Sequence, residues 1–249
     1  MKETRIIMGM PIVLEVVDKR ANQQTLNKVF DYFTYIDEKF SVYKKTSEIT
    51  AINKGELSEE DYSQDIKTIL ALSEETKRVT NGYFDIRKKN GDLDPSGLVK
   101  GWAILQASDL LKASGIKNFY VSVGGDIQVS GKNSRGAPWK IGIQNPFNPK
   151  EEYIKIIYLA AGGIATSGTY VRGQHIYSPK AENLAEIISL TVIGPNVYEA
   201  DRFATAAFAM GKNGIQFIES LDGFEGYMIN KNGLATLTKR FNQFTIVQQ

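Results

Sequence analysis

The sequence predicts an α+β protein folded as one compact unit. Apolar residues alternate at strand spacing in some stretches and recur at helical spacing in others. The two kinds of stretch follow one another irregularly instead of in a repeating strand–helix order. No internal repeat, low-complexity run or linker divides residues 1–249.

Ile6 to Val17, rich in Ile and Val, predicts a strand. Ala21 to Lys39 carries Leu26, Val29, Phe30, Phe33 and Ile36 at helical spacing and predicts an amphipathic helix. After Phe40-Ser41-Val42-Tyr43, Ser47 and the helix formers behind it predict a short capped helix to Asn53. Asp65 to Thr80 is a further helix, stopped by Asn81-Gly82. Asp94-Pro95-Ser96-Gly97 is a turn, and Leu98 to Ala113 reads as a helix ending at Ser114-Gly115.

Asn118 to Val123 and Ile127 to Val129 read as strands around Gly124-Gly125-Asp126, followed by strands at Trp139 to Gln144 and Tyr153 to Ala160. Ala161-Gly162-Gly163 and Thr166-Ser167-Gly168 read as glycine-bearing turns. Ile187 to Ile193 is a strand, Glu199 to Met210 a helix and Ile215 to Leu221 a shorter helix. Tyr227 to Ile229 and Phe244 to Val247 close the chain as strands.

Composition excludes several classes of chemistry. The 249 residues include no cysteine, which removes disulfides, thiolate catalysis and iron–sulfur clusters, and a single histidine argues against a soft-metal centre. The 30 Lys and Arg are mixed with 28 Asp and Glu in no basic block, so no nucleic-acid surface is expected. No apolar run approaches the roughly 18 residues of a membrane span. Met1 to Pro11 does not have the pattern of a signal peptide, so a cytoplasmic protein is the expectation unless an export segment has been removed. Walker-type, dinucleotide-binding and Gly-x-Ser-x-Gly motifs are all missing.

The most informative segment is Ala200-Asp201-Arg202-Phe203-Ala204-Thr205-Ala206. In a helix, Asp201 and Thr205 project from one face a turn apart. A carboxylate and a hydroxyl so placed form an oxygen half-site of the kind Mg²⁺ prefers. The alternative reading is an exposed acid favoured by the helix dipole, beside a packing face of Ala200, Ala204, Ala206 and Ala207. The glycine-bearing turns, including Val123-Gly124-Gly125-Asp126, can either tighten the chain or present N–H groups to phosphate. Lys100 is placed to pair with phosphate or with Asp94, or to remain a solvated charge. His175 is either a proton carrier or a structural residue.

These pieces, in this order, resemble the ApbE-type flavin transferases, which move FMN from FAD onto a protein. The resemblance covers most of the chain. It runs from Met8-Gly9 through Phe40 to Tyr43, Ser47 to Asn53, Gly82 to Asp85, Asp94 to Gly101 and Val123 to Ile127. Trp139 to Pro146, Ala165 to Gly168, His175-Ile176 and Ala200 to Ala206 complete it.

The resemblance implies two closely packed lobes with mixed or antiparallel sheets and an FAD cleft between them. It implies Mg²⁺ on Asp201, Thr205 and a backbone carbonyl at Gly97, with Asp201 and His175 in the catalytic centre. Met8, Tyr43, Ser47, Asn53, Asp94, Lys100, Gly124, Gly125, Asp126, Ser167 and His175 are the residues it implies for shaping or contacting the FAD site. The implied reaction is attack of an acceptor protein's threonine or serine hydroxyl on the FMN phosphorus, with release of AMP. An FAD pyrophosphatase and a non-catalytic FAD carrier are the alternatives. Three departures stand out: Ser178 where the family commonly has an acid, Ala181-Glu182 in place of a Thr-Gly pair, and Met10 in place of a threonine. The oligomeric state and the identity of the acceptor are not written in these motifs.

Overall fold

A computed structural model describes residues 1–148, 153–169 and 184–246. Its frame is an eight-stranded sheet in the order β1-β2-β3-β4-β7-β8-β9-β10. The strands are β1 (Lys2–Ile7), β2 (Met10–Val16), β3 (Phe119–Val123), β4 (Asp126–Ser130), β7 (Ala161–Gly168), β8 (Ile187–Gly194), β9 (Glu225–Asn230) and β10 (Ala235–Leu237). Every neighbouring pair is antiparallel. A separate antiparallel hairpin, β5 (Trp139–Ile143) with β6 (Lys155–Leu159), covers part of one face.

Alternation along the strands sorts the two faces. On β2 and β3, Ile12, Leu14, Val16, Phe119, Val121 and Val123 pack against α1 (Gln23–Phe40), α3 (Gln64–Val79) and α4 (Ser96–Ala113). On the same face farther along the sheet, Ala165, Leu190, Val192 and Met228 pack against α5 (Val197–Ala209) and α6 (Gly214–Glu219). The opposite face, with Ile127, Val129, Ile164, Ile193 and Ile229, takes the β5–β6 hairpin and Phe241. The two halves of the helical layer meet where α4 lies against α5, and that junction positions the candidate site. Among the described residues no helix is long and apolar enough to cross a membrane.

Local signals account for most helix starts. Asn22 caps α1 by accepting from the Thr25 N–H, and Ser63 caps α3 by accepting from Ile66. Ser47 caps α2 (Glu48–Asn53) by accepting from Thr50, and Asn196 caps α5 by accepting from Glu199. Four predicted elements differ. The single strand expected from Ile6 to Val17 is a hairpin, turned at Met8 and Gly9 with φ of 57° and 67°. Met8 therefore holds a left-handed conformation that costs a side-chain-bearing residue energy.

The turns expected at 161–163 and 166–168 are one continuous strand, β7, paired on both sides. Its glycines answer a tertiary demand. A Cβ on Gly163 would lie 2.0 Å from the Val197 nitrogen, so only glycine lets the start of α5 sit on the sheet. The strand expected from Phe244 is instead a 3-10 helix, Phe241–Thr245, with Phe241 buried under the sheet. The short edge strand β10 takes its place in the order.

Candidate metal and flavin site

The site begins with two buried carboxylates. Asp201 is 3 % exposed and Asp126 2 %, on α5 and at the start of β4. The exposed acid anticipated as one reading of Asp201 is therefore not what the fold contains. Asp201 Oδ2 accepts the Gly101 N–H at 2.8 Å, and Oδ1 lies 3.7 Å from Lys100 Nζ. Asp126 Oδ1 accepts the Thr166 N–H at 3.0 Å, while Oδ2 lies 2.5 Å from Lys100 Nζ. Lys100 thus pairs across the fold with Asp126, and the local pairing with Asp94 considered from the sequence does not form. The described partner of Asp94 is Lys88, at 2.8 Å.

Gly101 is what allows this approach. A Cβ there would fall 2.7 Å from the Asp201 Cβ and 2.9 Å from the Val197 carbonyl oxygen. The bare backbone lets α4 press against α5 and leaves an N–H aimed at the carboxylate. Burial is the strongest influence on Asp201 and drives its pKa from 3.8 up to about 7. Lys100 opposes the rise, Asp126 adds to it, and the Gly101 N–H opposes it again.

One turn along α5, Thr205 Oγ1 lies 3.4 Å from the Gly97 carbonyl oxygen and 3.5 Å from Ser167 Oγ. Carboxylate, hydroxyl and backbone carbonyl therefore come from α5 and the first turn of α4. Among the described residues no three His, Cys, Asp or Glu side chains gather as a metal cluster. The fit to a cation rests on this oxygen set and on a buried carboxylate whose charge calls for compensation. It suits a hard ion such as Mg²⁺, which binds through few protein oxygens and keeps room for phosphate and water.

The other sequence-predicted residues occupy two kinds of place. Gly124 and Gly125 turn β3 into β4, and the Gly124 N–H bonds to the Pro11 carbonyl at 3.1 Å, next to the Met8–Gly9 turn. Asn53 clamps Leu93, donating to its carbonyl at 2.9 Å and accepting its N–H at 2.8 Å, and so fixes the residue before Asp94. Burial pulls the Asp94 pKa upward, but Lys88 and the Ser96 donors outweigh it and hold it below the ordinary value.

Ser47 is fully buried; its hydroxyl donates to the Ser41 carbonyl at 2.6 Å and caps α2, so it anchors the connection between α1 and α2. Tyr43 is 93 % exposed. His175 and the Ser178 to Glu182 segment lie outside the described residues.

Sequence reasoning missed several supporting residues. Gln128, buried on the helix-facing side of β4, accepts the Val197 N–H at 2.8 Å and donates to the Gly162 carbonyl at 3.0 Å. It ties the start of α5 to β7. Arg202 grips Glu199 through Nε and Nη2 at 2.8 and 2.7 Å and donates to Thr76 Oγ1 at 3.1 Å, locking α5 to α3. Polar residues at alternate strand positions, Asp126 and Gln128, were the readable signal for the first of these.

The antiparallel sheet with its helices on one face is a fold shared with solved ApbE structures. The flavin transferase ApbE from Vibrio cholerae superposes with a TM-score of 0.84 at 21 % identity, covering 98 % of each chain. The ApbE protein from Thermotoga maritima gives 0.85 at 20 % identity, covering 99 % of each. The ApbE family model matches residues 8–90 and 86–228, and the chain belongs to that family. It is 31 % identical over 175 residues to the FAD:protein FMN transferase of Salmonella typhimurium, across 66 % of this chain and 50 % of that protein. The Escherichia coli K12 enzyme of the same name is 30 % identical over 162 residues, 61 % of this chain and 46 % of the relative. The chain spans about half the length of the curated relatives it matches.

Proposed function

We propose that this protein transfers FMN from FAD to a threonine or serine hydroxyl of an acceptor protein and releases AMP, in a reaction that depends on Mg²⁺. The observation that carries the reading is the junction of Asp201, Thr205 and the Gly97 carbonyl in a chain of this family. These three would hold the cation. When bound, Mg²⁺ would neutralise pyrophosphate charge and assist the departure of AMP.

The protein's own share is to fix geometry. Gly101 and Gln128 set the seat of α5, so that Asp201 and Thr205 face the first turn of α4 without rearrangement. The acceptor oxygen forms a bond to the FMN phosphorus as the bond from that phosphorus to the AMP oxygen breaks. The hydroxyl proton passes to a base, the role we assign to His175. Met8, Gly124 and Gly125 form two adjoining turns suited to the flavin nucleotide. Asp94, held by Asn53 through Leu93 and by Lys88, frames the other side. Purified protein given FAD and Mg²⁺ is expected to form AMP in step with flavinylation of an added acceptor. Free FMN with no acceptor modified would instead favour the pyrophosphatase alternative.

Asp201 also sets a pH dependence. Between pH 3.8 and about 7 the folded, metal-free chain keeps a proton on Asp201 that the unfolded chain has lost. Stability from this group is therefore fully present at the acid end and declines as pH rises through that window. Mg²⁺ competes with the same proton, so its affinity is expected to weaken as pH falls below about 7. Unfolding of the wild type and Asp201→Asn across pH, with and without Mg²⁺, measures both trends. Parallel curves for the two proteins would contradict the assignment.

A further inference from the structure

We propose that the outer edge of β1 docks a second copy of this chain, the two β1 strands pairing antiparallel about a twofold axis at Thr4. The inference is independent of the flavin reading. It rests on the backbone groups that the strand leaves open and on the charges beside them.

The ladder fixes which groups face outward. The Val16 N–H donates to the Met1 carbonyl at 2.8 Å, and the Met1 nitrogen donates in return to the Val16 carbonyl. Bonded and non-bonded pairs alternate along an antiparallel ladder, so Glu3–Leu14, Arg5–Ile12 and Ile7–Met10 are the bonded pairs of β1 and β2. Lys2, Thr4 and Ile6 therefore turn their N–H and C=O groups away from β2. Those groups have no hydrogen-bond partner among the described residues. An open edge of this kind is a template for another strand. Ile6 stands on it 72 % exposed. The opposite edge of the sheet offers less, since β10 has three residues where β1 has six.

Charge selects the partner and the register. A second β1 bonded through the outward groups can be centred on Glu3, Thr4 or Arg5. Centring on Glu3 sets glutamate against glutamate, and centring on Arg5 sets arginine against arginine; like charges directly opposite are destabilising. Centring on Thr4 sets Glu3 opposite the partner's Arg5, and Arg5 opposite the partner's Glu3. Within one chain Arg5 Nη2 already lies 2.7 Å from Glu3 Oε1. Two copies so joined close a ring of four alternating charges. In the same register Lys2, Thr4 and Ile6 face the partner's Ile6, Thr4 and Lys2, three bonded pairs with two hydrogen bonds each. The apolar stem of the partner's Lys2 then lies beside Ile6 and shields it.

One strand from each copy is a small interface, so a dimer that dissociates on dilution is expected. Sedimentation of the wild type at rising concentration is expected to carry the mass from one chain to two. Thr4→Pro removes an outward N–H that β2 does not use, and is expected to stay folded at one chain mass. The chain has no cysteine, so Thr4→Cys and Ile6→Cys report the register. Thr4 meets its own copy within disulfide reach. The two Ile6 residues lie four positions out of step, roughly 13 Å apart. Mild oxidation is expected to cross-link Thr4→Cys at least about tenfold faster than Ile6→Cys.

Should Thr4→Pro not fold, Arg5→Glu is expected to dissociate the dimer and Glu3→Arg added to it to restore the dimer. A wild type of one chain mass at every concentration overturns the proposal. So does a dimer that persists in folded Thr4→Pro or in Arg5→Glu, or one that cross-links as fast through Ile6→Cys as through Thr4→Cys.

Discussion

Asp201→Asn is expected to abolish divalent-cation binding and to lower FMN transfer by about 10²–10³-fold, the scale of losing one charge-stabilising group, while leaving the protein folded. Asparagine keeps the volume of the side chain and retains an oxygen to accept the Gly101 N–H. It removes a negative charge that burial makes unfavourable, so stability above pH 7 should be unchanged or higher. Alanine is the less clean substitution. It leaves the Gly101 N–H unpaired in a buried position, which costs roughly 1–3 kcal/mol. An acid exposed near a helix start would have tolerated either change, and it is the burial of Asp201 that separates them. Calorimetric Mg²⁺ titration and AMP release measure the two losses. An Asp201→Asn protein that binds Mg²⁺ as tightly as the wild type would remove Asp201 from the metal site.

Gly163→Ala is expected to be the most destabilising single-methyl change near the site. The added Cβ would meet the Val197 nitrogen at 2.0 Å, its Cα at 2.3 Å and the Asn196 carbonyl carbon at 2.4 Å. All three are backbone atoms and cannot rotate aside. The start of α5 must lift from β7, which breaks the bond between Gln128 and the Val197 N–H and shifts Asp201, one turn further on. Overpacking of this kind costs roughly 3 kcal/mol, or a fall in Tm of about 6–12 °C in a chain of this size. Mg²⁺ affinity should fall with it, because the carboxylate moves relative to Gly97 and Thr205. Urea unfolding and a Mg²⁺ titration of the surviving folded protein give both numbers. Stability within about 0.5 kcal/mol of the wild type would show that α5 is not seated as described.

Both cases mark where the sequence was legible. Apolar spacing placed α1, a cap at Ser47 placed α2 and the Asn81-Gly82 stop closed α3, each within a residue or two, because such signals are local. The caps at Asn22 and Ser63, which also bond within their own first turn, went unread. The pairing of Asp201 with Thr205 was equally readable, since a helix fixes which face a residue four positions on will share. Gly163 misled because glycine in a turn and glycine under a crossing helix are identical in sequence. What distinguishes the two cases is Val197, 34 residues further along the chain, which packs against Gly163. Lys100 posed the same difficulty. Asp94 was its near neighbour in sequence, but Asp126 is its partner in space, brought there by the β3–β4 hairpin. The compensation of a buried charge is set by topology, and no local window carries it.

Covalent transfer of FMN is tested most directly on the proteins of a cell that makes this chain. Denaturing gels imaged for flavin fluorescence, followed by peptide mass spectrometry, find the acceptor whatever its identity. The expected result is a fluorescent protein whose modified peptide is heavier by FMN less one water, carried on threonine or serine, and absent when the cell makes Asp201→Asn instead. A fluorescent band that persists with Asp201→Asn, or active protein that converts FAD to free FMN with no flavinylated peptide, would contradict transfer by this site.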